Sequence, residues 1–208
     1  MKETFFNLGE DKKQRVIDAS LIEFASAGYE KTSLDAVIAR AGISKGGLYE
    51  YIESKKDLFT YILTYAYDEL FSYIQKNKPP ERIDFPADPL ERTRSISSIA
   101  VDFYIQSPQI ISFLVTSSQV GDISIRLYVQ EIFSSYFYRL YETSDFALLP
   151  YDRDQILDLL KWLLVKTRNV FQESVQSGGE KSACKKRYLN EWNFYLSVLA
   201  KGMYQIER

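Results

Sequence analysis

Apolar residues along this chain recur at three- and four-residue steps, and almost nowhere at the two-residue step of a half-buried strand. Val16, Ile17, Leu21, Phe24 and Ala25 repeat in this way, which predicts an amphipathic helix over 11–27 that stops at Gly28. Thr32 is positioned to cap a second helix with Asp35 three residues on, and Leu34, Val37 and Ile38 point inward before the chain turns at Ala41-Gly42. Ser44 begins a third, very short helix reaching about Tyr51. Ser54, again with an acid three residues later at Asp57, begins a fourth that carries Leu58, Ile62, Tyr65 and Leu70 toward Lys76. The stretch "KNKPPERIDFPADP" at 76–89 holds four of the six prolines and reads as a boundary or an ordered connector. Beyond it, Asp88-Pro89 and Ser107-Pro108 are helix starts, with proline in the first turn. Later helices are predicted over 122–143, 152–177 and 183–205, so the whole chain is all-α.

Composition narrows what such a helical chain does. Its 208 residues are 46% hydrophobic and 26% charged, the balance of a globular protein. With no histidine, the commonest general base and metal ligand is missing, and the single Cys184 allows neither an internal disulfide nor a cysteine metal cluster. No cofactor and no metal are expected. The net charge of −2 and a pI of about 5.4 argue against broad, sequence-independent nucleic-acid binding but leave room for one local basic face. "MKETFFNLGED" is too short and polar for a signal peptide, and no apolar run reaches the ~18 residues that span a membrane. A cytoplasmic location without membrane contact is the expectation.

The stretch "GISKGGLYEY" at 42–51 carries the chemistry. A helix, a tight turn at Gly42 and a short helix make helix-turn-helix geometry, whose second helix enters the major groove N-terminus first. Glycine inside a helix costs about 1 kcal/mol relative to alanine. Gly46 and Gly47 in the first turn fit a backbone that must approach DNA closely, above a base of Ile43, Leu48 and Ile52. Tyr49 and Tyr51 point about 200° apart on a helix. Either each directs a hydroxyl at a phosphate on opposite flanks, or one of them is a core residue. Lys45 supplies charge at the groove and Lys55 at the start of the fourth helix.

Residues 11 to 63 resemble the DNA-binding domain of the TetR-type bacterial transcriptional regulators. The resemblance rests on "F-x-x-x-G-Y" from Phe24 to Tyr29, "T-S-L" from Thr32 to Leu34, "A-G-I-S-K-G-G-L-Y-x-Y" from Ala41 to Tyr51, and "S-K-x-x-L" from Ser54 to Leu58. It implies a homodimer on a palindromic double-stranded DNA operator, usually a repressor released by a small molecule bound in the C-terminal domain. By position it makes Lys45 and Tyr49 contacts of the recognition helix, and Thr32, Tyr51 and Lys55 phosphate contacts. Ser33, Ser44 and Gly46 complete the candidate DNA-facing set. Gly47 stands where the family commonly has Thr or Ser, and Glu50 and Ile52 replace the usual His or Tyr and Phe. Those departures leave the operator sequence open.

The resemblance divides the chain into a helix-turn-helix domain at 1–54, a connecting helix at 55–76 and a helical ligand-binding and dimerisation domain at 77–208. Aromatic residues thicken toward the middle of the chain, where 16 Tyr and 13 Phe stand against 2 Trp. Tyr61, Tyr65, Phe103, Phe113, Tyr128, Phe133 and Phe137 are the candidate lining of a pocket for an apolar or aromatic effector. Leu160, Leu164 and Phe171 lie on a helix apolar around most of its circumference. Leu189, Trp192, Leu196, Leu199 and Met203 form a seam on the last helix, and together these are the candidate dimer interface. An activator or DNA-organising role on the same fold is the alternative. An all-helical enzyme is disfavoured, because no paired carboxylates, phosphate loop or metal-ligand spacing stands out.

Overall fold

The computed structural model describes residues 1–79, 84–147 and 149–203, apart from the side chain of Met203. The Met203 seam position, residues 204–205 of the expected last helix and 80–83 of the connector therefore lie outside the described residues. Within them the chain forms helices and no strand: α1 (Glu3–Phe6), α2 (Glu10–Lys31), α3 (Leu34–Ala41), α4 (Lys45–Tyr51), α5 (Lys55–Lys76), α6 (Pro89–Gln106), α7 (Pro108–Ser117), α8 (Ile123–Arg139), α9 (Arg153–Gln176) and α10 (Lys181–Met203). No single helix among the described residues is long and apolar enough to cross a membrane.

The caps explain most of the boundaries. Ser44 accepts a hydrogen bond from the Gly47 amide at 3.1 Å, and Ser54 from the Asp57 amide at 3.1 Å. Asp88 accepts from the amides of Leu90 and Glu91, and Asp152 from that of Asp154. Three expected boundaries shift. Helix α2 runs through Gly28, which takes φ 72° at a kink, and continues one more turn to Lys31. The cap of α3 is Ser33, which accepts from the Ala36 amide; Thr32 is buried, and its hydroxyl faces the carbonyls of Gly28 and Glu23 instead. Helix α8 ends at Arg139, before the expected 143, because the guanidinium of the buried Arg92 binds the Leu140 carbonyl at 2.9 Å and the Thr143 hydroxyl at 2.8 Å.

By packing, the chain falls into two compact units that differ from the sequence-based division. One unit joins Met1–Glu69 to Ser107–Phe133, and the other joins Leu70–Gln106 to the residues from Ser134 onward. Residues 107–133 therefore belong with the N-terminal helices, because α7 lies along α2. Phe113 packs at 6.2 Å from Phe24 and 5.5 Å from Phe59, and the Thr116 hydroxyl donates to the Ala25 carbonyl. The Glu30 carboxylate accepts from the Gly121 amide at 2.7 Å. Backbone amides, its own first and then those of Gly121 and Asp122, hold the Glu30 carboxyl below its ordinary range.

The second unit is built on α6, α9 and α10. Tyr104, Phe171 and Tyr188 meet at 5.8–6.0 Å, and Trp192 and Leu196 are each 1% exposed. Arg92 is fixed by Asp84, Thr143 and the carbonyls of Phe85, Pro86 and Leu140, so its buried charge is paired and its donors are satisfied.

Candidate nucleic-acid interface

The turn between α3 and α4 is set by Gly42. Its φ of 63° is left-handed, a region that side chains disfavour by roughly 1–2 kcal/mol, and the Gly42 and Ile43 amides close onto the carbonyls of α3. Helix α4 then starts at the Ser44 cap and seats Leu48 and Ile52, both 0% exposed, against the core. The two glycines serve different ends. A Cβ on Gly46 would meet nothing within 4 Å, so bare backbone faces outward there. A Cβ on Gly47 would stand 3.0 Å from the Ser44 hydroxyl, so the capping side chain would have to give by a few tenths of an ångström.

The tyrosine alternative resolves into one residue out and one in. Tyr49 is 43% exposed beside Lys45 and Glu50, whereas Tyr51 is 5% exposed with its ring 6.3 Å from Phe5. Lys45 is exposed and pairs with Asp35 of α3 at 3.0 Å. The hydrogen bond to Asp35 raises the pKa of the Lys45 ammonium above its ordinary value, so it stays charged at neutral pH. That pair draws the first turns of α3 and α4 together, and Ser33, Ser44, Lys45, Gly46 and Tyr49 are all exposed on this side.

Three of the expected contact residues carry scaffold bonds. Thr32 is buried at the end of α2, and Tyr51 lies under α4. Lys55 donates to the carbonyls of Glu30 and Thr32, both at 3.1 Å, and sits 4.7 Å over the Tyr29 ring, so its charge neutralises the C-terminal end of α2. Sequence reasoning missed Lys2 and Thr4. The Lys2 ammonium donates to the Tyr49 carbonyl at 2.9 Å, and the Thr4 hydroxyl donates to the Glu50 carbonyl. A four-residue helix is too short to leave a periodic pattern, so nothing in the sequence marked them.

The expected effector lining does not come together as one set. Tyr61 packs 5.1 Å from Phe5 and 6.0 Å from Phe6 of α1, and Phe113 is consumed between Phe24 and Phe59. Tyr65 and Tyr128 are half-buried, and Phe133 stacks on Tyr67 at 6.0 Å. In the second unit Phe103 sits against Tyr73 and Phe137 against Tyr141, both in the core. A cavity of about 330 Å³ in that unit is lined by Phe71, Phe85, Arg92, Arg139 and Thr143 among others, and by none of the expected seven.

Part of the expected dimer seam is taken up inside the chain. Leu160, Phe171, Trp192 and Leu196 are buried where α6, α9 and α10 meet within the chain, and Leu164, Leu189 and Leu199 are half-buried. The outward apolar residues of α9 and α10 are Trp162, Phe194 and Val198, at 61%, 63% and 52% exposure.

Residues 16–62, from within α2 to the first turns of α5, match the family model for bacterial regulatory proteins of the tetR family. The match covers the helix-turn-helix segment of the chain, and the likeness to known regulators extends the comparison to the fold. It is 27% identical over 126 residues to the HTH-type transcriptional repressor KstR of Rhodococcus jostii (strain RHA1), a match over 61% of this chain and 56% of that one. The chain thus spans little more than half the length of that relative. The fold is similar to a TetR family transcriptional regulator from Chloroflexus aurantiacus J-10-FL, with TM-score 0.71, 24% identity and 98% of each chain covered. It is also similar to the transcriptional regulator FadR from Bacillus subtilis in complex with stearoyl-CoA, with TM-score 0.67, 14% identity, and 86% and 96% of the two chains covered.

Proposed function

We propose that this regulator acts in the cytoplasm as a homodimer that places α4 in successive major grooves of a near-palindromic DNA operator, represses transcription there, and is released by an apolar small molecule. The observation that carries the proposal is the two-sided build of α4. Leu48, Tyr51 and Ile52 anchor it from below, while Lys45, the bare backbone of Gly46 and the Tyr49 ring are left outward on a helix of seven residues. In this reading Lys45 and Tyr49 read or straddle the groove, and the caps at Ser33 and Ser44 bring helix N-termini to phosphate. Repression is supported by the likeness to KstR, which is named a repressor. An apolar effector is supported by the fold shared with FadR, whose structure holds stearoyl-CoA. The outward face of Trp162, Phe194 and Val198 is the dimer contact of this proposal.

Selecting duplexes from a randomised library with the whole protein tests it. Enrichment of an inverted repeat with half-sites about 34–36 Å apart, or close to that, is expected. Failure to enrich any sequence over the starting pool would overturn the operator reading.

A further inference from the structure

We propose that α1 is a positioning element for the recognition helix, acting through Lys2 and Thr4 on the carbonyl end of α4. This rests on the reading of α4 as the DNA-reading helix. A seven-residue helix with two glycines is too short to hold itself in water, and its last four carbonyls have no partner within the helix. In α4 these are the carbonyls of Leu48, Tyr49, Glu50 and Tyr51. Leu48 is bonded by the Ile52 amide at 3.1 Å. The other three are all bonded from α1 and its cap: Tyr49 by the Lys2 ammonium at 2.9 Å, Glu50 by the Thr4 hydroxyl, and Tyr51 by the Lys2 amide at 2.8 Å.

Phe5 makes this arrangement firm. It is 0% exposed, packed between Tyr51 and Tyr61, so α1 is anchored to the same core that α4 sits on. The Lys2 charge also complements the negative end of the helix dipole. The segment therefore tethers the recognition helix at its far end, as Ser44 does at its near end. Residues that read no base set how much of the time α4 is formed and aimed, and apparent affinity scales with that fraction.

The test uses the whole protein and a duplex selected by it from a random library. Binding is measured over a salt series for the parent, Thr4→Val, Thr4→Ser, Lys2→Met and Lys45→Ala, with amide hydrogen exchange across residues 45–52. Thr4→Val is expected to weaken binding about threefold and to speed exchange at Leu48–Ile52, while leaving the salt slope unchanged; Thr4→Ser restores both. Thr4→Val and Lys2→Met binding and exchanging like the parent, while Lys45→Ala loses the operator, would overturn the positioning role and leave the reading of α4 standing. A loss confined to Lys2→Met with a salt slope lower by about one would make Lys2 a phosphate contact, which also overturns it. Should Lys45→Ala bind as tightly as the parent, both the positioning role and the reading of α4 fall.

Discussion

Trp192 and Phe194 lie two residues apart on α10 and face opposite ways, so the same substitution at the two has different consequences. Phe194 is 63% exposed, and a fully covered aromatic side chain buries roughly 150–250 Å². Covering what remains of Phe194 in a dimer therefore removes roughly 100 Å² per protomer, or about 2.5 kcal/mol at about 25 cal/mol per Å². A two-fold axis uses the residue twice, so Phe194→Asp is expected to weaken the dimer by about 5 kcal/mol, between three and four orders of magnitude in Kd. Sedimentation at micromolar protein is expected to show a parent dimer and a folded Phe194→Asp monomer, whose thermal unfolding is lowered only by the lost stabilisation of the dimer. Trp192→Asp puts a carboxylate into the meeting of α6, α9 and α10 at a position 1% exposed, and it is expected to unfold the second unit, at a cost of about 3–5 kcal/mol or more. A Phe194→Asp protein that stays dimeric within tenfold of the parent, or a Trp192→Asp protein that is folded and monomeric, would refute the assignment of the two faces.

Other predictions follow from single positions. Gly46→Ala adds a Cβ that meets nothing, so it should stabilise the fold by about 0.5–1 kcal/mol while weakening operator binding; a variant that is both more stable and equally tight would show that bare backbone is not needed there. Gly42→Ala is forced into a left-handed φ of 63° and should cost about 1–2 kcal/mol in denaturant unfolding. Burial raises the Tyr141 and Tyr188 hydroxyls above the ordinary value of about 10, so the folded state favours the neutral phenols. Their contribution is fully present below pH about 10 and is lost as pH rises beyond it; phenolate absorbance should show these two ionising only with unfolding, and ionisation within the folded state would contradict the account. Arg92→Met strands the carbonyls of Phe85, Pro86 and Leu140 and should destabilise by about 3 kcal/mol or more, read from the shift in denaturant midpoint.

Local rules were legible where a residue acts on its own neighbours. The periodicity of Val16, Ile17, Leu21 and Phe24 marks the buried stripe of α2, and Ser44 and Ser54 cap where their spacing says. The 200° between Tyr49 and Tyr51 implies that one of them faces inward, but which one depends on Phe5, a residue more than forty positions away. The bonds of Lys55 to the carbonyls of Glu30 and Thr32, more than twenty positions away, likewise leave no local pattern in the sequence. On α10 the spacing of Leu189, Trp192 and Leu196 announces a packed seam without naming its partner; α6 and α9 of the same chain take that place. The placement of 107–133 with the N-terminal helices comes from Phe113 and Glu30, which meet partners only once α7 lies along α2.

The most direct test of the central claim compares operator affinity for the parent with Lys45→Ala and Tyr49→Ala, using fluorescence anisotropy of a labelled selected duplex. Both side chains are exposed and anchor no core, so the variants should keep the parent's unfolding midpoint and dimer state. The account predicts a loss of about 1–3 kcal/mol for each, five- to 150-fold in Kd, with the Lys45 variant also showing a weaker dependence on salt. If both folded variants bind the duplex as tightly as the parent, α4 is not the helix that reads DNA.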